Sequence, residues 1–110
     1  MTEELFGVDD LHKILNSLTD DEVAIDCRTR AEYEAGHIPG AINIPMGKEH
    51  DHLGELGDYR KIYLYCQSGR RSQTVYTSLL SKGLDNMVCL RSSGLDEWKK
   101  CGYNLEINRK

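Results

Sequence analysis

Ile62-Tyr63-Leu64-Tyr65-Cys66-Gln67-Ser68-Gly69-Arg70-Arg71-Ser72 runs from an apolar segment through a glycine-containing turn to two arginines. Its first four residues are an unbroken β-branched and aromatic run, the clearest strand pattern in the chain. Positions 72–82 then read as a helix, with Val75, Tyr76, Leu79 and Leu80 on one side and Gly83 as its C-cap. A strand that passes through a short loop into a helix is the repeating unit of an α/β domain.

The flanking sequence repeats that alternation. Upstream, Val23-Ala24-Ile25 reads as a buried strand ending at Asp26, Ala31 to Ala35 as a brief helix stopped by Gly36, and Ala41-Ile42-Asn43-Ile44 as a second strand ended by Pro45. Leu11, Ile14, Leu15 and Leu18 form one apolar helical stripe, with Asp9 as the expected N-cap and Thr19-Asp20-Asp21 as the exit. Downstream, Met87-Val88-Cys89-Leu90 is a strand and Leu95 to Lys100 a closing helix carrying Trp98. Residues 46–60 are polar and glycine-punctuated, a loop with one helical turn near Leu53–Leu56. The expectation is an α/β domain whose mainly parallel central sheet of about five short strands carries helices on both faces.

Composition fits this and narrows the function. The chain has 110 residues, which is one domain, and no linker, repeat or low-complexity tract divides it. Folding buries about two-thirds of the surface of a chain this size, so neither a metal nor a disulfide is needed to hold it. With 18 acidic against 14 basic residues the net charge is −4, so no concentrated basic face is expected and no nucleic-acid partner. No apolar run approaches the roughly 18 residues that span a bilayer, which argues against a membrane partner. The N-terminal Met-Thr-Glu-Glu-Leu-Phe-Gly lacks the basic start and apolar stretch of a signal peptide, so a cytoplasmic location is expected. The cysteines at 27, 66, 89 and 101 form no Cys-x-x-Cys pair, and neither a zinc site nor a disulfide framework is expected.

Cys66 is the residue with chemical promise. Ligands of open α/β sheets bind beyond the carboxyl ends of the strands, where Cys66 falls. The backbone N–H groups that follow it, a glycine able to adopt unusual φ, and a helix N-terminus behind them make a cradle that holds anions and lowers a thiol's pKa. Arg70 and Arg71 add positive charge, and no acidic residue stands between Cys66 and Leu84. A cysteine at a strand end is more often a small buried hydrophobe; the glycine and paired arginines shift the balance towards a nucleophilic thiolate acting on an anionic substrate.

The sequence resembles a single-domain rhodanese, of the sulfurtransferase family, over roughly residues 8–104. The resemblance rests on Asp26-Cys27-Arg28, Glu32-Tyr33, Gly36-His37-Ile38-Pro39-Gly40-Ala41-Ile42-Asn43-Ile44-Pro45 and Cys66-Gln67-Ser68-Gly69-Arg70-Arg71-Ser72, with Leu90 to Gly94, Trp98 and Gly102 similar to the family's C-terminal pattern. It implies that Cys66 takes a sulfane sulfur as a persulfide and passes it to a thiophilic acceptor, a thiol or a protein. Gln67, Ser68, Gly69, Arg70, Arg71 and Ser72 would bind a small anionic donor such as thiosulfate, with no cofactor and no metal. A monomer or weak dimer is expected, with a shallow, open site, since no second rhodanese-like half is present to enclose it. Ser92-Ser93-Gly94 stands where many relatives have Gly-Gly, and Gln67 where many thiosulfate users have a basic residue.

Two other readings stay beside this one. The domain could be a noncatalytic interaction or redox-sensing module, which would not need the cradle. A Cys-x5-Arg phosphatase or arsenate reductase would need arginine six positions after the cysteine to fork onto oxyanion oxygens. Position 72 is serine, and Arg71 arrives one residue early.

The remaining polar residues read mainly as support. Asp26 and Arg28 end the first strand beside the Cys66 loop; Asp26 could bond loop backbone or a guanidinium, and Arg28 could pair with Glu32 four residues on. His37 invites a general-base reading, but the resemblance implies a structural histidine that fixes the turn before the next strand; His50-Asp51-His52 reads as a solvated loop. Cys27 and Cys89 sit in strand patterns and are expected as inert core thiols, Cys101 could be exposed, and Trp98 is expected in the core.

Overall fold

The computed structural model describes residues 6–90 and 93–107. Strands β1 (Glu22–Asp26), β2 (Ile42–Asn43), β3 (Lys61–Tyr65) and β4 (Met87–Cys89) form one sheet in the order β2-β1-β3-β4. All three pairings are parallel, and β1 and β3 run level from Glu22 opposite Lys61 to Asp26 opposite Tyr65. Among the described residues the sheet has four strands rather than about five. The C-terminal segment pairs its backbone at an antiparallel bridge between His37 and Glu106, apart from this sheet.

Helices α1 (Val8–Ile14), α2 (Arg30–Ala35), α3 (Leu53–Gly57), α4 (Arg70–Leu80) and α5 (Leu95–Lys100) complete the chain. Strand alternation sorts them to the two faces. Ala24, Tyr63 and Tyr65 point one way and pack with Val8 and Leu11 of α1 and with Leu95 and Trp98 of α5. Val23, Ile25, Ile62 and Leu64 point the other way and pack with Leu56, Val75 and Leu79 of α3 and α4. The second core continues past the strand ends through Cys27 and Cys66.

Several boundaries moved for physical reasons. Helix α1 is capped at Gly7 rather than Asp9, because Val8 must already be helical to reach the core, where it is buried. Asp10 then turns back to accept a 2.9 Å hydrogen bond from the Gly7 N–H. Leu11 is fully buried, whereas Ile14, Leu15 and Leu18 only flank the core as the helix tightens into a 3₁₀ turn over Leu15–Ser17. Helix α4 begins two residues before Ser72, since Gly69 at φ 104° supplies the left-handed residue that starts it. Its buried face is Ser72, Val75 and Leu79; Leu80, expected on the same side of the helix, is exposed. Residues 46–60 hold more helix than one turn, a 3₁₀ segment over Glu49–His52 leading into α3.

Candidate active site

Cys66 follows β3 directly, and the alternation that sends Ile62 and Leu64 into the second core sends its side chain there too. It is 1% exposed, and the sulfur lies on the floor of the loop. The loop nevertheless turns its donors inward. Cys66 Sγ accepts hydrogen bonds from the Gly69 N–H at 3.1 Å and the Ser72 N–H at 3.3 Å, and lies 3.6 Å from Ser72 Oγ. Burial pushes the thiol pKa up, but the Ser72 hydroxyl and the N–H groups of Ser72, Gly69 and Ser68 outweigh it and leave the pKa lowered.

What orients those amides is α5. The Leu95 N–H donates to the Cys66 carbonyl at 2.9 Å and the Asp96 N–H to the Gln67 carbonyl at 3.1 Å. In a trans peptide the C=O and the next N–H point opposite ways, so drawing the Gln67 carbonyl out to α5 turns the Ser68 N–H towards the sulfur. Orphan donors of the first turn of α5 thus set the polarity of the cradle. This close approach explains Gly94. A Cβ there would overlap the Cys66 carbonyl oxygen and lie 2.8 Å from that of Gln67, and since φ is an extended 178° the requirement is space alone. Gly94→Ala is expected to cost about 1–3 kcal/mol of stability by urea denaturation. It should also raise the Cys66 thiol pKa, because the loop must retreat from α5.

The six loop residues divide by task. Gly69 and Ser72 hold the sulfur, while Ser68 sits exposed at the loop tip. Gln67 braces the loop from outside: its Oε1 accepts from Arg28 Nη1 at 3.2 Å and its Nε2 donates to Asp96 Oδ1. Arg70 is exposed and lines a groove along α4 with Gln73, Thr74, Thr77 and Ser78. Arg71 is held by a two-pronged ion pair to Glu32, Nη1 to Oε1 at 2.8 Å and Nη2 to Oε2 at 3.2 Å. The Arg71 hydrogen bond, aided by the Thr29 N–H, brings the Glu32 carboxyl down to about 2. That pair fixes the first turn of α4 to the first turn of α2, whose cap is Thr29.

Asp26 and Arg28 form a buried pair below the loop. Asp26 accepts from Arg28 Nε at 3.0 Å, Nη2 at 2.9 Å and the Arg28 N–H at 2.8 Å, with Asp26 0% and Arg28 3% exposed. The expected Arg28–Glu32 pair is corrected, since Glu32 faces Arg71 and Arg28 reaches the Gly36 carbonyl at 2.6 Å. Tyr65 completes this layer: its hydroxyl accepts from the Ile38 N–H at 3.0 Å, and burial, with Asp26 close by, pushes its pKa up.

Other candidates fall where their surroundings put them. His37 is buried, stacked on Tyr33 with Nδ1 2.7 Å from the Tyr33 carbonyl, which is a structural role. His50 and His52 bond Ser78 and Glu55, and no group of residues suited to a metal occurs among the described residues. Cys27 and Cys89 are buried and Cys101 is exposed. Trp98 is in the core, donating to the Asn104 carbonyl at 2.7 Å. Of the Ser92-Ser93-Gly94 turn, Ser92 lies outside the described residues.

A four-stranded parallel α/β domain with a cysteine cradled at a strand's carboxyl end is the architecture of a rhodanese domain. The chain matches the model of the rhodanese-like domain over residues 8–101 and belongs to that family. It is 33% identical over 87 residues to a sulfurtransferase of Allochromatium vinosum, covering 79% of this chain and 80% of that one. To a protein of Bacillus subtilis named as a sulfur carrier it is 34% identical over 74 residues, 67% of this chain but only 40% of that relative's length. The crystal structure of a rhodanese-like domain protein from Staphylococcus aureus superposes with a TM-score of 0.79 at 30% identity, covering 94% of this chain and 97% of that one. Sulfur transfer is the general chemistry these relatives support. No helix among the described residues is long and apolar enough to cross a membrane.

Proposed function

We propose that the protein is a sulfurtransferase in which Cys66 carries sulfur as a persulfide between an anionic donor, thiosulfate or another sulfane, and a thiol or protein acceptor. The observation that carries this is the convergence of the Gly69 and Ser72 N–H groups on Cys66 Sγ. In the first step the thiolate attacks the outer sulfur of thiosulfate. The S–S bond breaks, and sulfite leaves with the electron pair. The same N–H groups that stabilise the thiolate then hold the terminal sulfur, whose charge is similar. In the second step an acceptor thiolate attacks that outer sulfur and Cys66 departs as a thiolate. The exposed Arg70 supplies positive charge at the mouth of the loop.

Two features weigh against the rival readings. An oxyanion-transfer enzyme of the Cys-x5-Arg kind needs a guanidinium free to fork onto the substrate, and Arg71 is spent on Glu32. A noncatalytic interaction module has no use for donors aimed at a sulfur. Incubation with thiosulfate followed by intact-mass measurement tests the proposal. One added sulfur atom, removed by a small thiol, is expected. No adduct, or aryl-phosphate turnover faster than thiosulfate turnover, overturns it.

A further inference from the structure

The register of β1 and β3 does not stop where the strands do. Asp26 lies opposite Tyr65, and the Cys27 N–H donates to the Tyr65 carbonyl at 2.9 Å, so the next level sets Cys27 beside Cys66. Both side chains enter the same core face, each 1% exposed, in line with Val23, Ile25, Ile62 and Leu64. Neighbouring strands stand about 4.7–4.9 Å apart, inside the roughly 4.4–6.8 Å Cα window that a disulfide spans.

We propose that Cys27 is the resolving partner of Cys66, so that a peroxide reaching the active site ends in an internal Cys27–Cys66 disulfide. The Cys66 thiolate attacks a peroxide oxygen; the O–O bond breaks, hydroxide leaves and takes a proton from solvent, and Cys66 becomes a sulfenic acid. The Cys27 sulfur then attacks Cys66 Sγ as the S–O bond breaks. The Cys27 proton leaves with the hydroxyl as water. Both thiols are oxidised and one peroxide is reduced to two waters.

The two sulfurs are suited to unequal parts. Burial, reinforced by the negative charge of Cys66, pushes the Cys27 thiol well above its ordinary value, so in the resting protein it stays protonated and does not compete for donor sulfur. Once Cys66 is a sulfenic acid, its neighbour needs no approach from solvent. The other cysteines are less well placed: Cys89 is level with Leu64, two residues before Cys66, and exposed Cys101 lies 3.7 Å from Asp9 beyond α5. The disulfide would block sulfur loading until a thiol reopens it, and spare Cys66 irreversible oxidation.

Peptide mapping tests this. The fully reduced protein is treated with hydrogen peroxide, alkylated and digested with trypsin without reduction. Cleavage after Lys13, Arg28, Lys61 and Arg70 places the two cysteines on separate peptides, 14–28 and 62–70. The expected product is these two peptides joined, with the intact chain lighter by two hydrogen atoms and dithiothreitol restoring both. In Cys27→Val, and in Cys27→Ala as a second variant of smaller volume, both verified as folded by circular dichroism, Cys66 should instead gain two oxygens that dithiothreitol does not remove. Wild-type Cys66 reaching that oxidised form without a cross-link, or linking to Cys89, Cys101 or another molecule, overturns the proposal. The readout is a cross-link, independent of whether Cys66 carries sulfur.

Discussion

Cys66→Ser is expected to take up no sulfur from thiosulfate and to lose sulfur-transfer activity on the order of 10³-fold or more, while remaining folded. The reason is specific to the atom. Serine keeps the side-chain length, and its oxygen can accept from the same Gly69 and Ser72 N–H groups, so the loop has its partners. Its hydroxyl does not ionise near neutrality and forms no stable bond to a sulfane sulfur. Stability should therefore shift by no more than about 1 kcal/mol. Intact mass after thiosulfate and the urea midpoint separate the two effects. A serine variant that still gains sulfur would place the carrier elsewhere in the chain.

Arg28→Met should have the largest effect on stability, a loss of about 3–5 kcal/mol by urea denaturation. Its guanidinium is the cation for a carboxylate with no exposure, and it also bonds the Gly36 carbonyl and Gln67. Methionine fills much of the volume but leaves Asp26 buried with the Arg28 N–H and without its counter-charge. A domain of this size has only roughly 5–15 kcal/mol in total, so the loss is a large share. Breaking the pair also frees the Gln67 side chain, so the variant should load sulfur more slowly than its folded fraction accounts for. An unchanged urea midpoint would show that the pair is dispensable.

The fold was legible because its strands are short, apolar and punctuated. Ile62 to Tyr65 gave β3 nearly to the residue, and Leu95 to Lys100 gave α5. Four segments read as strands and four form the sheet; the expectation of about five overshot because strand pairing is non-local and no local pattern reports it. At the site, Cys66, Gly69 and Ser72 could be read because one loop holds them all. The roles of Leu95 and Asp96, whose N–H groups orient that loop from α5, could not, since their contacts to Cys66 and Gln67 arise only on folding. Glu32 stood in the sequence motif, but its partner Arg71 lies 39 residues away, and helical spacing pointed instead to Arg28. The depth of Cys66 was also hidden. A strand-end residue faces either solvent or core according to alternation, and the parity of Ile62, Leu64 and Cys66 selects the core.

The most direct measurement is the pH dependence of Cys66 alkylation by iodoacetamide, followed on peptide 62–70 in the wild type and in Ser72→Ala. With donors from Ser72, Gly69 and Ser68 outweighing burial, the wild-type midpoint should lie below the ordinary cysteine value of 9.0, and loss of the Ser72 hydroxyl should move it upward. A wild-type midpoint at or above 9.0 would mean that burial prevails over the amides and that no thiolate waits in the loop.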